Sequence, residues 1–153
     1  MPRILAVDWG ERRIGLAISD PTGTIATGLE TVVARSEPEG VRRVAAIAAE
    51  READSLVVGL PLLLSGERGS AAEAAERFAA ALREASGLPV ATYDERLTSA
   101  LATRRMHERG ESARRGKGRV DQGAAVALLE SWLARLDAER RRAGEAADAG
   151  GAE

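Results

Sequence analysis

Positions 3–8 (RILAVD) are apolar on both sides of an alternating pattern, with Ile4 and Ala6 on one side and Leu5 and Val7 on the other. That is the signature of a strand covered from both faces. A second apolar run, 12–19, resumes after only Trp9, Gly10 and Glu11. The gap is too short for a crossover, so an antiparallel hairpin is expected. DPTG at 20–23 has the Asp, Pro and Gly placement of a type I turn, and a third strand is expected over 25–34. After SEPEG the period lengthens, and Val41, Val44, Ala45 and Ala48 recur at helical spacing to about residue 53. SLVVG at 55–59 reads as a short buried strand and LPLLLSGERG as a loop. Ala71, Ala75, Phe78, Leu82 and Ala85 then mark an amphipathic helix. A strand over 89–93 runs directly into DERLTSALA, where a helix from about Thr98 leads to a Gly- and Arg-rich stretch at 110–119. A last helix is expected over 120–142, and AGEAADAGGAE reads as a disordered tail.

The order is βββαβαβα: three meandering strands, two parallel additions, and helices for both faces of a mixed sheet. This predicts a three-layer α/β domain over 1–143 with a tail at 144–153. The 153 residues, 44% hydrophobic and 30% charged, suit one domain with a real core. No run approaches the ~20 apolar residues of a membrane span, and four apolar residues before Asp8 are too few for a signal-peptide core. The absence of cysteine excludes disulfides, thiolate catalysis and Cys-bound zinc, and a cytoplasmic location is expected.

Net charge is only −2, but it is segregated: residues 96–119 carry +6 and the rest of the chain −8. An anion-facing segment on an acidic body is one reading, and a solvated basic helix and loop is the other.

The acidic residues narrow the choice. Ligands of open α/β sheets gather at the carboxyl ends of the strands. Asp8 ends the first strand, Asp94 and Glu95 end the last, and Gly59 ends the one between. Asp121 shares a helical stripe with Ala125, Leu128 and Trp132, so it falls among core positions. Carboxylates so placed are costly unless paired, capping or metal-bound. Acids from three segments at one sheet edge suit two Mg²⁺ or Mn²⁺ ions, which take oxygen ligands and can drive phosphodiester cleavage. Taken singly, a turn acid, an Arg96-paired Glu95 and an N-cap Asp121 are each the commoner explanation. Three such coincidences beside a +6 segment are not.

AVDWGERRIGLAISD, VVGLP, YDERLTSALA and GKGRVDQGAAVALLESWL, in that order, resemble the YqgF/RuvX family of RNase H-like nucleases, described as pre-16S rRNA nucleases or Holliday junction resolvase-like proteins. The resemblance spans roughly residues 3–136. It implies an RNase H-like fold, a role in maturing the 5′ end of 16S rRNA in ribosome biogenesis, and catalytic, metal-binding acids at Asp8, Glu95 and Asp121. Between the neighbours Asp94 and Glu95, strand alternation lets only one aim at the site; the resemblance selects Glu95. Arg12, Arg13, Arg96, Arg114, Arg115, Lys117 and Arg119 are expected to hold nucleic acid, above all precursor rRNA, free or in ribosomal particles. The loop LPLLLSGERGS departs from the family's polar residues at Leu63 and Ser65, so no contact is carried over from it.

Three other readings fit parts of the pattern. A Holliday junction resolvase would need a dimer for symmetric cutting, and the helical stripes leave no apolar seam, so a monomer is expected. An actin-like ATPase or sugar-kinase half would need two such domains with nucleotide between them, and 153 residues supply one. A non-catalytic RNA-binding module would explain the basic segment but not the acids. His107 among the arginines, Trp9 and Tyr93 beside the acids, and Thr98 and Ser99 after Glu95 are read as surface, packing and capping residues respectively.

Overall fold

The computed structural model describes residues 3–62, 65, 67, 69–97 and 117–151, with side chains in the last stretch over 123–145. Strands β1 (Ile4–Asp8) and β2 (Arg13–Ser19) form the expected antiparallel hairpin, with Leu5 opposite Ile18 and Asp8 opposite Gly15. Gly10 makes the turn possible by close approach: a Cβ there would lie 2.5 Å from the Arg13 carbonyl oxygen. Strand β5 (Ser55–Leu60) adds parallel to β1, and β6 (Val90–Asp94) adds parallel to β5. The sheet order is β3-β2-β1-β5-β6, so the strand ending in Asp8 is central.

The single third strand expected over 25–34 is instead two, β3 (Ala26–Gly28) and β4 (Val32–Val33), both on the same edge of β2. Register passes from Gly28 opposite Ala17 to Val32 opposite Ile14, so four steps along the edge span three along β2. One inserted residue is a β-bulge. It switches faces: Ala26 packs with one core layer, while Val32 and Ala34 belong to the other.

Helix α1 (Glu37–Glu50) begins inside SEPEG and stops short of residue 53. Ser36 Oγ accepts from Glu39 N–H at 3.3 Å, and Glu39 Oε2 accepts from Arg35 N–H at 3.3 Å. Ser36 caps the helix, and Glu39 reaches back one residue past the cap to Arg35; Pro38 is tolerated in the first turn because no intrahelical donor is lost there. Helix α2 (Ser70–Ser86) ends at Gly87, whose φ of 70° is a left-handed cap that glycine adopts freely. Both helices cover one face, burying Val44, Phe78 and Leu82 against Leu5, Val7, Leu56 and Val58.

The other face is covered by the long helix α3 (Lys117–Gly151), whose Ala124, Ala125, Leu128, Leu129 and Leu133 pack on Ile4, Ala6, Ala17, Val57 and Tyr93. Glu130, Leu133 and Asp137 stand near the Thr22–Thr24 turn, at the end of the sheet where β1 begins. The start of α3 therefore lies toward the carboxyl edge of β1. The helix continues through the boundary at 143 set by the hydrophobic pattern, on a run of Ala, Glu and Arg with high helix propensity. The helix expected from Thr98 and the loop at 110–116 lie outside the described residues. Among the described residues no helix is long and apolar enough to cross a membrane.

Candidate active site

Asp8 closes the central strand with its residue only 7% exposed. Alternation from Ile4 and Ala6 puts it on the α3 side of the sheet. Val7 pairs with Val58, and one further step in that register sets Asp8 beside Gly59. Gly59 shares its face with Val57, again the α3 side.

Glu95 follows β6 as the first residue of a short 3-10 helix, Glu95–Leu97, and is 1% exposed. Its carboxylate folds back over the neighbouring strand: a Cβ on Gly59 would lie 2.5 Å from Glu95 Oε1 and 3.0 Å from its Cγ. Any side chain at residue 59 would occupy the space of that carboxylate. Asp8 and Glu95 come from the strands on either side of β5, and both lie at Gly59, a position with no side chain. A glycine inside an apolar strand signals close approach by another group. The VVGLP motif carried that signal, although the sequence did not say which group approaches.

Asp94 does different work. Its Oδ1 accepts the Arg96 backbone N–H at 2.9 Å, which closes the turn carrying Glu95. Its two oxygens also take the Arg96 guanidinium, with Nη2 donating at 2.7 Å and Nε at 3.1 Å. The Arg96 side-chain hydrogen bond, ahead of the cost of burial, holds the Asp94 carboxyl below the usual carboxylate range and raises Arg96 in turn. Arg96 is therefore committed to Asp94, not to Glu95.

Of the other residues expected at the site, Arg12 and Arg13 are exposed on the turn between β1 and β2, at the same edge as Asp8. Asp121 lies in α3 one turn before the buried Ala125; its side chain, like those of Lys117 and Arg119, is outside the described residues. Arg114, Arg115, His107, Thr98 and Ser99 also fall outside them. Tyr93 packs edge-on against Trp132 at 5.2 Å, bonds Ser131 Oγ at 3.1 Å and lies under the Arg135 guanidinium, so it joins sheet to helix.

The donor set is oxygen-only. Two buried carboxylates gathered over a glycine fit a hard divalent cation better than zinc or copper. Among the described residues no cluster of three or more such side chains forms; the sheet supplies two.

A family model described as RuvX, Holliday junction resolvase, matches residues 2–135. A protein of Rhodococcus jostii, provisionally named pre-16S rRNA nuclease, is 46% identical over 155 positions, covering 97% of this chain and 84% of that one. One from Anaeromyxobacter sp. strain K with the same name is 44% identical over 133 positions, covering 87% and 97%. In three dimensions the chain is similar to T. thermophilus RuvC solved with a Holliday junction substrate, at a TM-score of 0.53 and 19% identity over 90% of this chain and 97% of that one. At that identity the likeness is one of fold, RNase H-like, in agreement with the mixed three-layer sheet. The match along nearly the whole chain settles the family: this chain belongs to RuvX.

Proposed function

We propose that this chain is a metal-dependent nuclease that hydrolyses phosphodiester bonds of precursor ribosomal RNA at the 5′ side of 16S rRNA. The observation that carries the reading is the seating of the Glu95 carboxylate on Gly59, beside Asp8 and on the face covered by α3, the helix whose sequence contains Asp121. The names of the relatives supply the substrate class.

Asp8, Glu95 and Asp121 would hold a pair of Mg²⁺ or Mn²⁺ ions. The bound metal supplies activation of water and neutralisation of charge developing on the phosphate. The chain's own residues do the rest. Burial of Asp8 and Glu95 fixes their carboxylates in a low-dielectric floor where they cannot swing away. Asp94 locks the 3-10 turn and so aims Glu95. Arg12 and Arg13 at the same edge, with Arg114, Arg115, Lys117 and Arg119 of the basic segment, would neutralise flanking phosphates without reading bases. The exposed large apolar residues among those described, Ile25, Val33 and Leu97, come from three separate stretches of the chain, which supports a monomer. It would work in the cytoplasm, on free RNA or on a ribosomal particle.

A DNA four-way-junction resolvase is the second reading, favoured by the description of the family model. The two are separated by incubating the protein, with Mg²⁺ and with Mn²⁺, beside precursor 16S leader RNA and a synthetic junction. The expected result is RNA cleavage that chelation stops and that Asp8→Asn and Glu95→Gln each lower at least a hundredfold. Paired symmetric nicks in the junction with intact RNA would replace the first reading by the second.

A further inference from the structure

Asp8 and Trp9 are adjacent, and strand alternation sends them to opposite sides of the sheet. Asp8 faces α3; Trp9 packs with the α1 and α2 layer, its ring 6.5 Å from that of Phe78. On that side the turn opens into a cleft of about 600 Å³ between the starts of α1 and α2. This is within the roughly 300–1,000 Å³ of small-molecule sites. Trp9, partly exposed and backed by the buried Phe78, forms its aromatic wall, and Arg35 and Arg77 bring two guanidinium groups to it. Neither arginine forms an ion pair among the described residues, although Glu11 and Glu37 also line the cleft. The rim is thus balanced in charge, which disfavours a dense polyanion. It suits a ligand with one flat apolar ring system and one phosphate.

We propose that this cleft binds a single unpaired nucleotide of the RNA strand, with its base against Trp9 and its phosphate on Arg35 and Arg77. The ring supplies stacking that any base can use, and the guanidinium groups supply charge-assisted hydrogen bonds to the phosphate. Trp9 follows Asp8 without an intervening residue, so a strand crossing this edge has its scissile phosphate on one face and a neighbouring nucleotide on the other. The nucleotide is held across the sheet edge, which fixes the register of cleavage. The assignment rests on the nuclease reading for the identity of the strand, not for the cleft itself.

The test is a titration with adenosine 5′-monophosphate in chelator, followed by amide and indole NMR, with adenosine and inorganic phosphate as separate arms. Expected are shifts at Trp9, Gly40 and Ala71, binding weakened at least tenfold by Arg35→Ala with Arg77→Ala, and loss of binding in Ala71→Trp, which fills the cleft from an exposed helix position. Circular dichroism checks that each variant folds. Absence of these shifts, shifts confined to Asp8 and Glu95, or equal affinity for phosphate or adenosine alone would overturn the proposal. Because no cleavage is involved, nucleotide binding in the cleft with precursor RNA left intact would sink the nuclease reading and leave the nucleotide site standing.

Discussion

Gly59 and Glu95 are in such close contact that residue 59 cannot gain a side chain unless Glu95 moves. An alanine at 59 would place its Cβ 2.5 Å from Oε1, and the strand on which Gly59 sits is held on both sides, so the carboxylate must move. Gly59→Ala is expected to lower cleavage by orders of magnitude and to cost about 1–3 kcal/mol, as overpacking does. Adding Glu95→Ala should return much of the stability and none of the activity. Denaturant titration of the two single variants and the double variant measures this coupling. Asp94 is coupled differently. Its carboxyl lies below the usual range because Arg96 holds the ionised form, so its stabilisation is complete above the ordinary aspartate value of 3.8 and fades as pH falls through the lowered folded value. The stability gap between wild type and Asp94→Asn should accordingly be constant near neutrality and narrow in acid. A gap that widened as pH fell would contradict the pairing.

At the scale of elements, the Ser36 cap of α1 and the bulge of the edge strand each turn a local pattern into a packing decision. Ser36→Ala removes the acceptor for Glu39 N–H and should cost about 1 kcal/mol, read as a lower melting temperature. The bulge matters more. Deleting the exposed Glu30 would restore an unbroken ladder and turn Val32 away from the α1–α2 core, where it is now 2% exposed. A loss of about 2–4 kcal/mol is expected, comparable to emptying a buried aliphatic site. The pattern over 25–34 reads as one strand because alternation on a half-covered edge is weak. Only pairing with β2 shows that the edge strand must gain a residue to serve both core layers.

For the whole molecule, the two core layers and the segregated charge assign different tasks to different regions. Leu128, wholly buried between α3 and the sheet, should cost about 2–5 kcal/mol when replaced by Ala. Residues 137–145 of the same helix are exposed throughout, so truncation after 143 should leave the melting temperature within a degree or two. The +6 of residues 96–119 on a chain of net −2 predicts strongly salt-dependent RNA binding. Replacing Arg114, Arg115 and Lys117 by Ala should flatten the slope of log K against log salt by about 2, at roughly 0.7 per phosphate contact on single strands. An unchanged slope would remove the basic segment from the interface.

The central strand ending in Asp8, the β1–β2 hairpin and the two parallel additions were legible in the sequence. Each depends on apolar periodicity and on gaps too short or long enough for a crossover, which are properties of neighbouring residues. Asp8, Glu95 and Asp121 were legible as candidates for the same local reason: an acid at the end of a buried strand or on a buried stripe is conspicuous. Which of Asp94 and Glu95 turns inward, what Gly59 is for, and the bulge that divides the edge strand depended on the tertiary structure. Asp94 and Glu95 have the same charge and nearly the same position in sequence. One pairs with Arg96 and the other lies on Gly59, because alternation sends Glu95 to the same face as Tyr93 and the parallel strand beside it leaves room there at Gly59. Sequence patterns record which residues prefer burial; contacts between strands far apart in the chain decide what they are buried against.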